Sequence, residues 1–111
     1  MHERIEIRTA DGVVRVAPSG DVDMVTAPAL RVALEEAAAR RPARIVVSLR
    51  DVTFLDSTGL GAIVHGLRTA ADQGVALTLS EASPAIRRVL AVTGLDDLLD
   101  GDDHGAADGD G

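Results

Sequence analysis

The sequence contains no cysteine and no lysine, and Phe54 is its only aromatic residue. Without cysteine there can be no disulfide and no thiolate metal site, although this does not fix the compartment. Without lysine, a phosphate-binding loop of the G-x-x-x-x-G-K-[ST] type cannot form. A single phenylalanine also offers no aromatic platform for stacking nucleic-acid bases. The core must therefore be built from Val, Ile, Leu and Ala.

Long apolar runs are missing as well. The longest aliphatic stretches span a few residues, far below the roughly 20 needed to cross a bilayer. The first four residues lack the apolar stretch of a signal peptide. We therefore expect no membrane insertion and a cytoplasmic location. The 111 residues, 46% of them apolar, suffice for one domain with a single core.

Charge is unevenly distributed along the chain. The formal net charge is −7, and residues 100–111 contain five aspartates and no basic residue. Residues 1–99 hold eleven arginines and thirteen acidic residues, a net charge of −2. Neither part presents the basic field that nucleic acid or an anionic membrane requires. We expect a folded domain in residues 1–99 and a disordered acidic tail, rich in Gly and Asp, in residues 100–111.

Apolar patterning predicts about four strands, at residues 5–8, 14–16, 45–49 and 75–79. Asp11-Gly12 is a preferred pair for the tight hairpin turn between the first two strands. Pro18-Ser19-Gly20 is expected to end the second strand. The continuous apolar run at residues 45–49 suits a strand covered on both faces.

Three segments repeat apolar residues at helical spacing, and they begin at Thr26-Ala27-Pro28, Asp56-Ser57 and Ser83-Pro84. The middle helix is predicted to bury a stripe formed by Leu60, Ile63, Val64, Leu67 and Ala71. Glycines, Gly74 and Gly94, are expected to end the second and third helices. The order β-β-α-β-α-β-α predicts a single α/β domain in which helices pack on a mixed sheet.

Signatures of catalysis are missing. The sequence has no G-x-S-x-G elbow and no H-x-x-x-H pair, and its histidines are scattered at positions 2, 65 and 104. Only Asp56 lies close enough in sequence to act as a base for Ser57. We expect a protein that is not an enzyme and binds no cofactor or metal.

The run D-S-T-G-L-G at residues 56–61 stands out, and it has two interpretations. Asp and Ser are both good N-caps, so Ser57 could simply accept an amide hydrogen bond at the helix start. Gly59 and Gly61 each lower helix propensity by about 1 kcal/mol relative to Ala, which suggests that the two glycines serve a function. They could keep bulky side chains away from Ser57, and Gly61 could equally pack against the sheet.

This run resembles the STAS domain of anti-sigma factor antagonists. V-A-P-S-G-D-V-D at residues 16–23 is similar to the family's G-[DE]-x-D turn, and T-A-P-A-L at residues 26–30 to the start of its first helix. The segment from Ser83-Pro84 to T-G-L at residues 93–95 resembles the family's closing pattern. The resemblance covers roughly residues 10–99 in family order.

In that family, the Ser after the Asp is phosphorylated by an anti-sigma factor that is also an ATP-dependent serine kinase. The unphosphorylated antagonist binds the anti-sigma factor and releases its sigma factor, and a serine phosphatase restores the cycle. The resemblance implies that Ser57 is the phosphate acceptor, with Thr58 as second choice. The expected partner-binding residues are Asp21, Asp23, Asp56, Ser57, Thr58, Gly59, Gly61 and His65.

Some of these residues have simpler explanations. Asp21 and Asp23 flank a reversal of the chain, where aspartate is common for conformational reasons alone. His65 lies on the same stripe of the helix as Ser57 and Gly61, and its simpler explanation is that of a surface histidine. STAS domains of this kind usually continue into a final strand and helix, where this chain has its acidic tail. The alternative hypothesis is a STAS subunit of a transport-associated or stress-sensing complex that is not phosphorylated. The intact D-S-T-G favours the first hypothesis, and the oligomeric state stays open.

Overall fold

The computed structural model describes residues 4–99. The strands within that range are β1 (Arg4–Ala10), β2 (Val13–Val22), β3 (Arg44–Ser48), β4 (Asp51–Leu55) and β5 (Ala76–Ser80). The helices are α1 (Ala27–Ala39), α2 (Ser57–Asp72) and α3 (Pro84–Thr93), followed by a 3₁₀ turn at Leu95–Leu98. The predicted mixed α/β domain is confirmed, with five strands rather than about four. The tail, expected at residues 100–111, lies outside the described residues.

The sheet has the strand order β1-β2-β3-β5, and β4 also pairs with β2. β1 and β2 are antiparallel, whereas β2 pairs in parallel with both β3 and β4, and β3 with β5. β3 pairs with the first half of β2 and β4 with the second half. The carboxyl ends of β2 and β4 therefore lie side by side.

The hairpin turn is confirmed, but the predicted end of β2 is wrong. Asp11 and Gly12 both have positive φ, 54° and 80°, as a two-residue turn of this twist requires. β2 runs through Pro18-Ser19-Gly20 and ends at Val22, with a shift of register between Gly20 and Asp21. Gly20 has a φ of 80°, and the strand continues past it opposite a bulge at Thr53 of β4 instead of ending there.

β4 was not predicted, because buried and exposed side chains do not alternate along it. Thr53 and Phe54 are both exposed, between the buried Val52 and Leu55. Thr53 is the extra residue of a β-bulge, since the consecutive residues Gly20 and Asp21 of β2 pair with Val52 and Phe54, and this breaks within β4 the period of two on which strand prediction depends.

The core lies between one face of the sheet and the helices. Its largest fully buried side chains are aliphatic: Leu30, Leu34, Ile45, Leu49, Ile63, Leu79, Leu90, Val14, Val16 and Val47. The expectation of an aliphatic core is confirmed, since Phe54 remains 52% exposed. The structure therefore places the only aromatic ring of the chain at the surface.

The predicted buried stripe of α2 is largely wrong. Its buried residues are Gly59, Ala62, Ile63, Gly66 and Ala70. Gly66 shows the reason, because a Cβ there would overlap the side chain of Leu34 on α1. Close packing of α1 on α2 selects small residues at the contact, and larger apolar residues such as Leu60 and Leu67 pack at its margins.

The boundaries of α3 agree with the sequence. The Ser83 hydroxyl accepts a hydrogen bond from the amide of Ile86 at 3.2 Å, and Gly94 ends the helix with a φ of 79°. The chain then passes through the 3₁₀ turn, and Leu99 forms a parallel bridge with Leu79 of β5.

None of the helices within residues 4–99 has the length and the apolar character needed to cross a membrane.

Candidate functional site

The site forms where β2 and β4 end next to each other. Asp21 pairs with Phe54 and Val22 with Leu55, and the amide of Asp56 donates to the carbonyl oxygen of Val22 at 3.3 Å. The chain then enters α1 after β2 and α2 after β4. This topology brings the predicted residues Asp21, Asp23, Asp56, Ser57 and Thr58 to one end of the sheet.

Asp56 is the N-cap of α2. Its Oδ1 accepts hydrogen bonds from the amide of Gly59 at 3.0 Å and from the hydroxyl of Thr58 at 2.6 Å. The bond from Thr58, followed by the one from Gly59, lowers the pKa of the Asp56 carboxyl below its usual value. The interpretation of Ser57 as the cap is therefore wrong, because the preceding residue fills that position.

Ser57 is the first residue of α2, and its side chain is exposed. Within residues 4–99 its hydroxyl makes no hydrogen bond, whereas the neighbouring Thr58 hydroxyl is engaged by Asp56. Of the two candidate acceptors, Ser57 thus has the freer hydroxyl. Its location at a helix N-terminus also provides amide dipoles that favour a negative charge.

Asp23 is occupied in shaping the turn into α1. Its Oδ1 accepts from the amides of Val25 at 3.0 Å and Thr26 at 3.3 Å. Its own amide donates to the hydroxyl of Thr26 at 3.0 Å. Thr26 begins the helix as expected but does not cap it with its side chain. The turn-chemistry explanation therefore accounts for these contacts of Asp23.

Asp21 lies on β2 opposite the bulge of β4, and its side chain is exposed. Its carboxylate accepts from the hydroxyl of Thr53 on β4 at 3.0 Å, and its carbonyl oxygen accepts from Thr26 at 2.8 Å. This residue links β2 to β4 and to the start of α1, and it still presents a carboxylate at the surface.

The two glycines after Ser57 have different environments. Gly59 is buried, and an added Cβ would lie 2.7 Å from Leu55 Cδ1 and closer still to the carbonyl oxygen of Val22. Gly61 is exposed, and an added Cβ would meet nothing within 4 Å. Gly59 is required by packing, and the proposal that Gly61 packs against the sheet is wrong. Of the two, Gly61 leaves open surface one turn after Ser57.

His65, on α2, connects this helix to α1 through its side chain. Its Nε2 lies 2.6 Å from Glu35 Oε2, and its Nδ1 lies 3.3 Å from Arg31 Nη2. Arg31 and Glu35 both belong to α1, and the His65 side chain is 30% exposed. His65 is therefore a partly exposed surface histidine, as the favoured explanation states, and it also pairs with Glu35 of α1. His65 also lies eight residues from Ser57, about 12 Å along the helix.

Sequence analysis missed an exposed apolar group at the same end of the sheet. Met24 and Val25, in the turn after β2, are 70% and 74% exposed, and Phe54 on β4 is 52% exposed. The signal in the sequence that could have indicated this group is Phe54, the only aromatic residue of the chain, three positions before Ser57. We call Met24, Val25 and Phe54 the apolar cluster.

Within residues 4–99, no three His, Asp or Glu side chains converge as metal ligands would. The site is thus composed of hydroxyls, carboxylates and apolar side chains.

Comparison with known proteins identifies the family. The family profile described as "Mlab, STAS domain" matches residues 5–100. The chain is 32% identical over 100 residues to the anti-sigma-B factor antagonist of Bacillus subtilis, which covers 90% of this chain and 91% of that protein. The crystal structure of an anti-sigma factor antagonist from Mycobacterium paratuberculosis superposes with a TM-score of 0.80. The two sequences are 34% identical, and the match covers 98% of this chain and 96% of that one.

The fold is also that of the anti-sigma factor antagonist SpoIIAA in its unphosphorylated form. That structure superposes with a TM-score of 0.77 at 19% identity, and the match covers 87% of this chain and 86% of that one. Fold, profile and sequence relatives agree, and the chain belongs to the STAS domain family.

Proposed function

We propose that the protein is an anti-sigma factor antagonist that acts by reversible binding in the cytoplasm. Its unphosphorylated form binds an anti-sigma factor with serine kinase activity, and the sigma factor held by that protein is released. The observation that carries this proposal is the exposed Ser57 hydroxyl at the start of α2, beside the capping carboxylate of Asp56. The curated relatives bear the name of such antagonists.

Ser57 is the proposed phosphate acceptor. Its side chain is exposed, and the open surface at Gly61 lets a kinase approach from the following turn. Thr58 is the weaker candidate, because its hydroxyl would first have to leave Asp56. A serine phosphatase would return the protein to its binding form.

The proposed switch acts on binding rather than on folding. Phosphorylation adds about −1.5 to −2 charges, and a helix N-terminus stabilises added negative charge. The partner, in contrast, would have to accept a dianion beside Asp56 on a surface shaped for a hydroxyl. A loss of roughly a hundredfold in affinity is the expected scale for such a desolvated charge.

The protein is proposed to act as a binding module and not as an enzyme. Among the residues that the structure describes, the site offers Ser57 no histidine base, since His65 lies about two turns along α2 and is bonded to Glu35. Purified protein incubated with ATP alone should therefore show no turnover. Steady hydrolysis that disappears in Ser57→Ala would contradict this view.

The deciding experiment mixes the purified protein with candidate anti-sigma kinases from the same genome, with and without ATP. We expect a complex without phosphorylation, and with ATP a single phosphate on Ser57 by mass spectrometry. Thr58→Ala is the matched control and should still be phosphorylated, whereas Ser57→Ala should bind without modification. If no anti-sigma factor binds, the proposal fails and a transport-associated or stress-sensing STAS subunit becomes the better hypothesis.

A further inference from the structure

The apolar cluster is not explained by the acceptor site alone. Six large apolar side chains are markedly exposed within residues 4–99, and three of them, Met24, Val25 and Phe54, lie at the carboxyl ends of β2 and β4. The other three are dispersed over β1, α1 and α3. Single exposed apolar residues are ordinary, whereas grouped ones mark interaction surfaces.

Phe54 is the informative member. An aliphatic core has no aromatic ring, although a ring would bury more apolar surface than any side chain it contains. The chain instead holds its only aromatic residue half exposed on β4, paired with Asp21 and three residues before Ser57. Phenylalanine and methionine are enriched at the centres of protein interfaces.

The surroundings of the cluster are acidic. Asp21, Asp23 and Asp56 lie at the same end of the sheet, and residues 16–30 and 51–67 contain no arginine. All eleven basic residues therefore lie elsewhere in the sequence. A partner with an apolar pocket rimmed by basic side chains matches this arrangement.

We infer that Met24, Val25 and Phe54 form the apolar anchor that docks the anti-sigma factor, next to the acceptor Ser57. This inference rests on the proposed function and adds the residues that supply affinity. The anchor provides most of the binding energy. Ser57 lies at its edge, and its phosphorylation state controls whether the protein and the anti-sigma factor can come into contact. The acidic rim increases the rate of association and orients the partner.

The test measures dissociation constants of the full chain for the anti-sigma kinase bound by the wild type. Phe54→Ala should weaken binding at least about tenfold, with smaller losses for Met24→Ala and Val25→Ala. Val92→Ala and Val32→Ala are matched controls, because these valines are 87% and 50% exposed on α3 and α1. Both controls should bind within about twofold of the wild type.

Three further readouts test the inference, so that the result does not depend on the stability of one variant. Met24 and Val25 lie in a turn, so their truncation should leave the melting temperature unchanged while affinity falls. In the kinase assay, Phe54→Ala should raise KM for phosphorylation of Ser57 without lowering kcat. Added salt should slow association of the wild type with its partner.

The inference is overturned if the wild type binds the kinase and Phe54→Ala and Met24→Ala bind equally well. It is also overturned if the control valines matter as much as the cluster. The first of these results would leave phosphorylation at Ser57 and the proposed function intact. Absence of any binding by the wild type would refute both proposals together.

Discussion

The hydroxyl of Thr58 donates to the carboxylate of Asp56 over 2.6 Å, and this contact holds both side chains at the start of α2. The same carboxylate oxygen accepts the amide of Gly59. Ser57 lies between these two residues, and its hydroxyl takes no part in the arrangement. Capping belongs to Asp56 and the phosphate acceptance proposed above to Ser57, so substitutions can change one without the other.

Replacing Asp56 should destabilise the fold more than replacing Ser57. Asp56→Ala removes the cap and leaves the amide of Gly59 without its acceptor, which should lower the melting temperature by about 5 °C. Ser57→Ala, the matched control in the next position, should change it little. Thermal unfolding followed by circular dichroism measures both. An equal loss in the two variants would show that Ser57 shares the cap.

The cap should also depend on pH. Because its hydrogen bonds lower the pKa of Asp56 in the folded state, the carboxylate stabilises the fold above the unfolded pKa of about 3.9. That contribution is lost as the pH falls through the lower folded pKa. Asp56→Asn, which cannot ionise, should differ from the wild type in stability at pH 7, and the difference should shrink as the pH falls below the unfolded pKa toward the lower folded pKa. Urea unfolding at pH 7 and pH 3 tests this.

The two glycines near Ser57 should respond in opposite directions to alanine. Gly59→Ala forces a methyl group against Val22 and Leu55 and should cost roughly 1–3 kcal/mol. Gly61→Ala enters open space on the helix and should stabilise by about 1 kcal/mol. The added methyl should nevertheless slow phosphorylation of Ser57, if open surface at Gly61 serves the kinase. Urea unfolding and the initial phosphorylation rate provide the two readouts.

His65 and Glu35 should be energetically coupled across the α1–α2 contact. The two side chains are 2.6 Å apart and partly exposed, so a double-mutant cycle of His65→Ala and Glu35→Ala should give about 0.5 kcal/mol. The pair stabilises the helix packing, and affinity for the partner should change by no more than about twofold in His65→Ala. A tenfold loss of affinity would place His65 in the binding surface after all.

The overall fold could be predicted because its main elements follow strict periods. Val14 and Val16 alternate in β2, and Ser83 and Gly94 bracket α3 with unambiguous cap residues. β4 could not be found, because its own bulge at Thr53 removes its alternation. Strand assignment from local sequence depends on such alternation or on a continuous apolar run, and β4 has neither.

The site was predicted in its location and only partly in its details. The D-S-T-G run located the start of α2, but Asp56 and Ser57 are both acceptable caps, and only the backbone geometry selects Asp56. The contact of Gly66 with Leu34, which shifts the buried stripe away from the expected one, depends on the distance between two helices. No pattern within one helix encodes that distance.

Phosphorylation of Ser57 should weaken binding and leave the fold intact. The dianion would stand at the N-terminus of α2, where the helix dipole offsets it, while the neighbouring carboxylate of Asp56 repels it. Because Ser57 is exposed and does not cap the helix, neither effect should disrupt packing. The phosphorylated protein should keep its circular dichroism spectrum, with amide shifts confined to residues near positions 56–61. Its affinity for the anti-sigma factor should fall about a hundredfold.

Two variants separate charge from size at this position. Ser57→Asp should reduce affinity partly, since one charge replaces nearly two, and Ser57→Asn keeps a similar side-chain volume without the charge. Ser57→Asn should bind more tightly than Ser57→Asp if electrostatics controls the switch. Equal affinities in these two variants would point to steric exclusion instead. Unfolding of α2 on phosphorylation, seen by loss of helical amide protection, would contradict a switch that acts at the interface.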